Sequence, residues 1–282
     1  MPYILLVLTA FFISVQNILR KQYNVRSKKP TTFLFSLCLS LSALIFFVLI
    51  SGFKLDFNIA VLPYAIGFAL SYGAALVGSI VAISSGSLSL TLLFSSYSLI
   101  IPAMHGVIAL DEKIGAIGII GLILLLASIL FINLKREKTK INLVWVISVT
   151  LCFLGNGMCS LVQKLQQMRF DGGYKNEFMI LALTLCSIGL FITLLASKEN
   201  IKNEIAPCIK LGGICGISNG IVNYAVMMLT AMLPSSVLYP SISGGGIVFG
   251  FLAALLFFKE KLSPMKYLGY ALGLISVILL NI

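Results

Sequence analysis

The sequence sets small polar side chains at helical spacing inside long apolar runs. Between 88 and 109, Thr91, Ser95, Ser98, Pro102 and His105 follow one another at intervals of 4, 3, 4 and 3 residues. That spacing puts them on one face of a 3.6-residue helix. Similar faces recur elsewhere: Thr9, Ile13, Gln16 with Asn17, and Arg20; Ser71, Ala75, Gly78 and Ala82 with Tyr72 beside them; Cys152, Asn156, Cys159 with Ser160, and Gln163. Two more are Gly212, Gly216, Asn219 with Gly220, and Asn223; and Tyr239, Ser243, Gly246, Gly250 and Ala253. Hydroxyls and amides donate and accept hydrogen bonds but do not carry protons or electrons at neutral pH. Their chemistry is therefore recognition of a polar ligand, or hydrogen bonding between helices, where small residues also let backbones approach. The glycines and serines fit helix packing best. Asn156, Asn219 and Asn223 are harder to hide, because an unpaired amide in an apolar medium costs several kcal/mol. They must face protein or a wet cavity.

The titratable groups point away from catalysis. All nine acidic residues (Asp56, Asp111, Glu112, Glu137, Asp171, Glu177, Glu199, Glu204 and Glu260) fall in or beside loops. An intramembrane carboxylate, the usual proton or cation handle of a carrier, is missing. There is one histidine, His105, and no HExxH, P-loop or GxSG-type nucleophile setting. The six cysteines lie mostly inside apolar runs, form no CxxC pair and have no histidines to join them at a metal. No enzyme activity, cofactor or metal is expected. Glu112 and Glu260 read as caps, accepting from free N–H groups that open the next helix. His105 reads as an interfacial side chain, and Lys21 and Lys164 as snorkelling anchors.

Composition dictates what positions these residues. Of 282 residues, 59% are hydrophobic and only 10% charged, too little polar surface to coat a water-soluble particle of this size. The bilayer is therefore expected to be the solvent for most of the chain. The net charge of +11 suits residues flanking spans and meeting anionic lipid rather than nucleic acid. Apolar runs between charged or turn-forming breaks predict ten helices, near 2–21, 31–51, 60–82, 88–109, 114–134, 143–165, 178–197, 206–230, 235–257 and 264–282. The first run has no basic segment before it and is followed by Arg20 and Lys21, so it reads as a retained span.

The helices fall into two copies. A shift of 148 residues lays Glu112-Lys113 on Glu260-Lys261, Gly121 on Gly269, Ser128 on Ser276 and Asn133 on Asn281. It also lays Ser87 on Ser235, Ser95 on Ser243 and Ser71 on Asn219, and a shift of 143 lays Lys21 on Lys164. The expected units are 1–134, a basic linker at 135–142, and 143–282. With five helices per copy, the second must enter the membrane inverted, and inverted repeats place a site near the midplane where they meet.

The segment Phe257-Phe258-Lys259-Glu260-Lys261-Leu262-Ser263-Pro264, followed by Leu268-Gly269 and a closing apolar helix, resembles the end of an EamA-type repeat of the drug/metabolite transporter superfamily. Asp111-Glu112-Lys113 with Gly121, and the serine-rich start of helix four with Pro102, are similar. Gly250 stands where the second copy would match Pro102, a departure that bears on the kink of helix nine. The resemblance implies a basket in which helices 1, 3, 4, 6, 8 and 9 line a cavity and helices 5 and 10 pack at one end. The fold expected is thus an all-α polytopic membrane protein of two inverted five-helix repeats. The function expected is carriage of a small polar or amphipathic metabolite, with a flippase for a lipid-linked headgroup or a non-transporting subunit as alternatives. The candidate substrate-binding residues are Gln16, Asn17, Ser71, Tyr72, Ser95, Tyr97, Asn156, Asn219, Asn223, Tyr239 and Ser243. The expected partners are a small-molecule substrate and the bilayer, with a homodimer through helices 5 and 10. Both termini are expected on one side of the cell membrane. Odd-numbered loops carry 15 of the 20 Lys and Arg, which places the termini outside by the positive-inside rule, whereas the resemblance implies cytoplasmic termini.

Overall fold

The computed structural model describes residues 2–27, 31–56, 58–85, 88–133, 142–256 and 263–281. Glu260, Lys261 and the basic linker up to 141, with Glu137, lie outside the described residues, as do the side chains of Lys21 and Asn133. The described chain is helical: α1 (Pro2–Arg26), α2 (Thr32–Ile50), α3 (Leu62–Ser85), α4 (Leu88–Tyr97), α5 (Ile100–Ala109), α6 (Ala116–Asn133), α7 (Leu143–Arg169), α8 (Lys175–Ala196), α9 (Ile205–Pro207), α10 (Gly213–Thr230), α11 (Ser235–Leu256) and α12 (Pro264–Leu280). Among the described residues, seven helices are long and apolar enough to cross a membrane, and three apolar helices are shorter.

The ten expected helices are present among the described residues, with three local differences. The fourth is broken into α4 and α5 by a turn at Ser98-Leu99. Pro102 is the cause: it has no N–H to give Ser98, and its ring crowds that carbonyl. Ser98 O instead takes a bond from Ile101 N at 3.1 Å. The ninth, α11, runs unbroken past Gly250 and carries its proline earlier, at Pro240. The eighth begins as the short α9 and a π-turn, Cys208–Gly212, before α10.

Caps fix several starts. Asn142 Oδ1 accepts from Trp145 N at 2.7 Å, opening α7. Glu199 closes the start of α2 from across the chain, taking Thr32 N at 2.9 Å, Phe33 N at 3.0 Å and Leu34 N at 3.3 Å. Glu112 does the same for α11, with Ser235 N and Ser236 N each at 2.8 Å. Its capped helix is not the next one in sequence but one more than a hundred residues on.

The largest cluster of buried apolar side chains is shared by α2, α3, α7, α8 and α10, around Phe47, Phe68, Phe178, Met179 and Met227. The outward faces carry large apolar residues such as Ile4, Leu70, Ile108 and Leu195, each about 70% exposed. Contiguous exposure on that scale is unfavourable in water and expected against lipid tails. α6 and α12 pack closely together, with Ser128 Oγ donating to Gly269 O at 2.6 Å and Gly121 leaving room for Leu279 and Leu280.

Candidate functional site

Four amides from three helices form one hydrogen-bonded chain in the interior. Gln163 of α7 donates through Nε2 to Asn223 Oδ1 at 2.7 Å. Asn223 Nδ2 donates to Asn219 Oδ1 and to Asn219 O, both at 2.9 Å. Asn219 Nδ2 then reaches Gln16 Oε1 on α1 at 3.2 Å. Asn219 and Asn223 face the same way because they are one turn apart on α10. The chain satisfies the carboxamides in the middle, which is what keeps them tolerable between apolar helices. It ends in a carboxamide nitrogen, Gln16 Nε2, and a carboxamide oxygen, Gln163 Oε1. Those ends are a donor and an acceptor, and Gln16 and Gln163 are themselves buried.

A second polar cluster joins α4 to α7. Ser95 Oγ accepts from Asn156 Nδ2 at 2.9 Å and from Cys152 Sγ at 3.5 Å, and Trp145 Nε1 donates to Thr91 Oγ1 at 3.0 Å. The polar stripe of the fourth helix is therefore held against α7. Tyr239 of α11 is buried and donates to Ser160 O of α7 at 2.7 Å. α7 thus presents Asn156, Ser160 and Gln163 to three different helices.

The remaining predicted residues stand apart from these clusters. Asn17 is exposed beside buried Gln16. Ser71 bonds within its own helix, to Gly67 O at 2.6 Å. Tyr72 stacks on Phe68 at 5.8 Å, and its hydroxyl is buried without a partner. Tyr97 turns to α6, donating to Leu126 O at 3.0 Å. Ser243 is half-buried on α11. The glycines of the π-turn and α10 do not share the face of the asparagines. A Cβ on Gly212, Gly216 or Gly220 would meet Phe35, Cys38, Leu39, Ser42 or Phe46, so that stripe packs on α2 while Asn219 and Asn223 look toward α1 and α7.

Two side chains outside the predicted set complete the charged end of this region. Lys164 is buried at the end of α7 and donates to Thr230 O, the last residue of α10, at 2.8 Å. Glu112 holds the start of α11 across the turn. Burial opposes ionisation of Glu112, but the amides of Ser236 and Ser235 and the Lys164 ammonium outweigh it and hold its carboxyl below the usual range. Gly106 makes room, since a Cβ there would overlap the Glu112 carboxylate. His105 Nδ1, nearby in sequence, is buried without a partner. Gln163 carries a signal the sequence shows, its place on the Cys152-Asn156-Ser160 face. The cross-chain reach of Glu112 and Lys164 has none.

No protein-family model matches the chain, and no curated protein matches it. Among solved structures it is similar to one described only as the crystal structure of a protein: the TM-score is 0.79 at 12% identity, over 99% of this chain and 97% of that one. At that identity the likeness establishes a shared fold across the whole length and nothing about activity.

Proposed function

We propose that the protein is a multi-pass carrier of the cell membrane that moves a small polar or amphipathic metabolite by alternating access between two inverted five-helix repeats, as in drug/metabolite transporters. The amide chain Gln163–Asn223–Asn219–Gln16 carries the reading. It places donors and acceptors from helices of both halves deep among apolar helices, where their use is to recognise a ligand with both kinds of group. The packing supports the repeat. Exchanging each helix for its counterpart turns α1 on α10 into α7 on α3, α1 on α11 into α7 on α4 and α5, and α2 on α10 into α8 on α3, and all of these are contacts of the fold. α2 on α8 and α6 on α12 map onto themselves. The outer faces of α6 and α12, with Ile123 and Ile278 exposed, are the surfaces proposed for a homodimer.

A second reading, a flippase for a lipid-linked headgroup, is favoured by one feature. An apolar groove of about 470 Å3 lies between α1 and α11, lined by Val7, Leu8, Phe11 and Phe249 among others.

The test is a thermal-shift screen of the purified protein against polar metabolites, followed by counterflow in proteoliposomes. A carrier exchanges a hit across the bilayer, and a flippase moves only a lipid-linked probe. A scaffold does neither, and thiol reagents in water then fail to reach Asn219→Cys and Asn156→Cys. Orientation is a separate expectation: the basic loops place both termini outside, and a C-terminal reporter active only in the cytoplasm overturns it.

A further inference from the structure

A cavity of about 680 Å3 opens where the end of α1 meets the turn leading into α10, away from the amide chain. A buried carboxylate lines it. Glu204 is 8% exposed, and Tyr23 Oη donates to its Oε2 at 3.1 Å. Burial pushes the Tyr23 phenol up, so it keeps its proton. Thr31 N, at 2.9 Å, and Cys208 Sγ, at 3.3 Å, donate to the phenol oxygen. Thr31 Oγ1 lies a further 3.0 Å from the phenol oxygen, and Glu204 accepts the hydrogen bond that the phenol donates to it. No lysine or arginine among the described residues lies within ion-pair distance of that carboxylate, although an unpaired buried charge is costly. Two cations do line the same cavity: Arg26 in the last turn of α1 and Lys210 on the π-turn, both exposed. π-turns inside helices often mark functional sites. Asn200 and Asn203 add amides to the wall, and Ser27, which also lines it, has a buried hydroxyl without a partner. The volume is that of a small-ligand pocket.

The cavity lining therefore carries a buried carboxylate together with an exposed guanidinium and an exposed ammonium. We propose that it binds a small zwitterion, an ammonium joined by a short linker to a phosphate or carboxylate. The ammonium pairs with Glu204 and the anionic end with Arg26 and Lys210. This inference does not depend on the transport reading. Its ligand has two sources of the same chemistry, a free metabolite or the headgroup of an ethanolamine lipid at the membrane surface.

The test uses the purified full-length chain. In calorimetry, O-phosphoethanolamine is compared with inorganic phosphate and with ethanolamine. Phosphoethanolamine is expected to bind at least about tenfold more tightly than either fragment, one charge-assisted contact at each end. Lys210→Met, at an exposed position that leaves folding intact, is expected to weaken it about tenfold. Glu204→Gln is expected to reduce it to the affinity of phosphate alone. In nanodiscs, retention of ethanolamine lipid over choline lipid, lost in Lys210→Met, assigns the site to lipid. Soluble binding without that preference assigns it to a metabolite. Absence of binding in both arms, binding indifferent to Lys210→Met, or phosphate binding as tightly as phosphoethanolamine overturns the proposal.

Discussion

Two seams between long helices, α3 on α7 and α1 on α10, are built in opposite ways. The first is closed by backbone contact. A Cβ on Gly155 would sit 2.5 Å from Ser71 O and 2.6 Å from Ala75 N, and one on Gly78 would sit 2.7 Å from Ser148 O. The second is bridged by side chains, Asn219 to Gln16, with Cys215 Sγ 3.9 Å from the Gln16 carbonyl. Backbone against backbone admits nothing between the helices and has one arrangement. A carboxamide bridge can exchange its partner for water or a ligand at little net cost, since each such bond is worth only ~0.6 kcal/mol among helices in lipid. The lesson is that α7 is locked to α3 while α1 and α10, the counterpart pair, meet through side chains that can change partner.

The largest expected break falls on the closed seam. Gly155→Leu should cost about 3 kcal/mol through overpacking against backbone that cannot yield, seen as lost monodisperse protein. A leucine accepted there without change in melting temperature would show that the seam is not closed. Next comes the bridged seam. Asn219→Ala should weaken the ligand found in the screen by about 1–3 kcal/mol, while lowering unfolding free energy by only ~0.6 kcal/mol. If the melting temperature falls and affinity in the folded fraction does not, the amides are glue and the two seams are alike in kind.

The turn between α10 and α11 ties the seams together, because Lys164 of α7 grips its first carbonyl and Glu112 its following amides. Glu112→Gln should cost about 1–2 kcal/mol and reduce folded yield. The carboxyl is held below its ordinary value. Its contribution is therefore complete above the unfolded carboxyl pKa of about 4.3 and is lost as pH falls through the lower folded value. Wild-type protein should lose this increment of stability in acid and the variant should not. An unchanged acid profile with normal yield would move Glu112 out of its capping role. The smallest effect is a control. Gly73 also lies on α3, but a Cβ added there would have nothing within 4 Å. Gly73→Ala should therefore make the protein slightly more stable, by about 0.5 kcal/mol, read as a small rise in melting temperature.

Ten helices and their limits were legible within a few residues, because an apolar run of spanning length has one physical solution in lipid. Asn156, Asn219 and Asn223 marked polar positions that packing would have to pair, and all three are half-buried and hydrogen-bonded, whereas the break before Pro102 falls inside a helix expected to be continuous. Periodicity was less informative about partners. Gly212, Gly216 and Asn219 share a helical repeat in the sequence, yet the glycines meet α2 and the asparagine meets α1. A face some 100° wide touches two neighbours at once, and the sequence carries no coordinate for where one ends.

Composition and periodicity alone therefore determined the solvent, the helices and the polar residues each must hide, since these follow from transfer free energies along the chain. Only the tertiary structure decided which residues those side chains meet: Glu112 on the start of α11, Glu199 on the start of α2, Lys164 on the end of α10, and Tyr97 turned to α6 rather than inward. The reason is physical. Burial is a property each segment has by itself, whereas a hydrogen bond between residues a hundred positions apart exists only once packing has brought its two ends within about 3 Å.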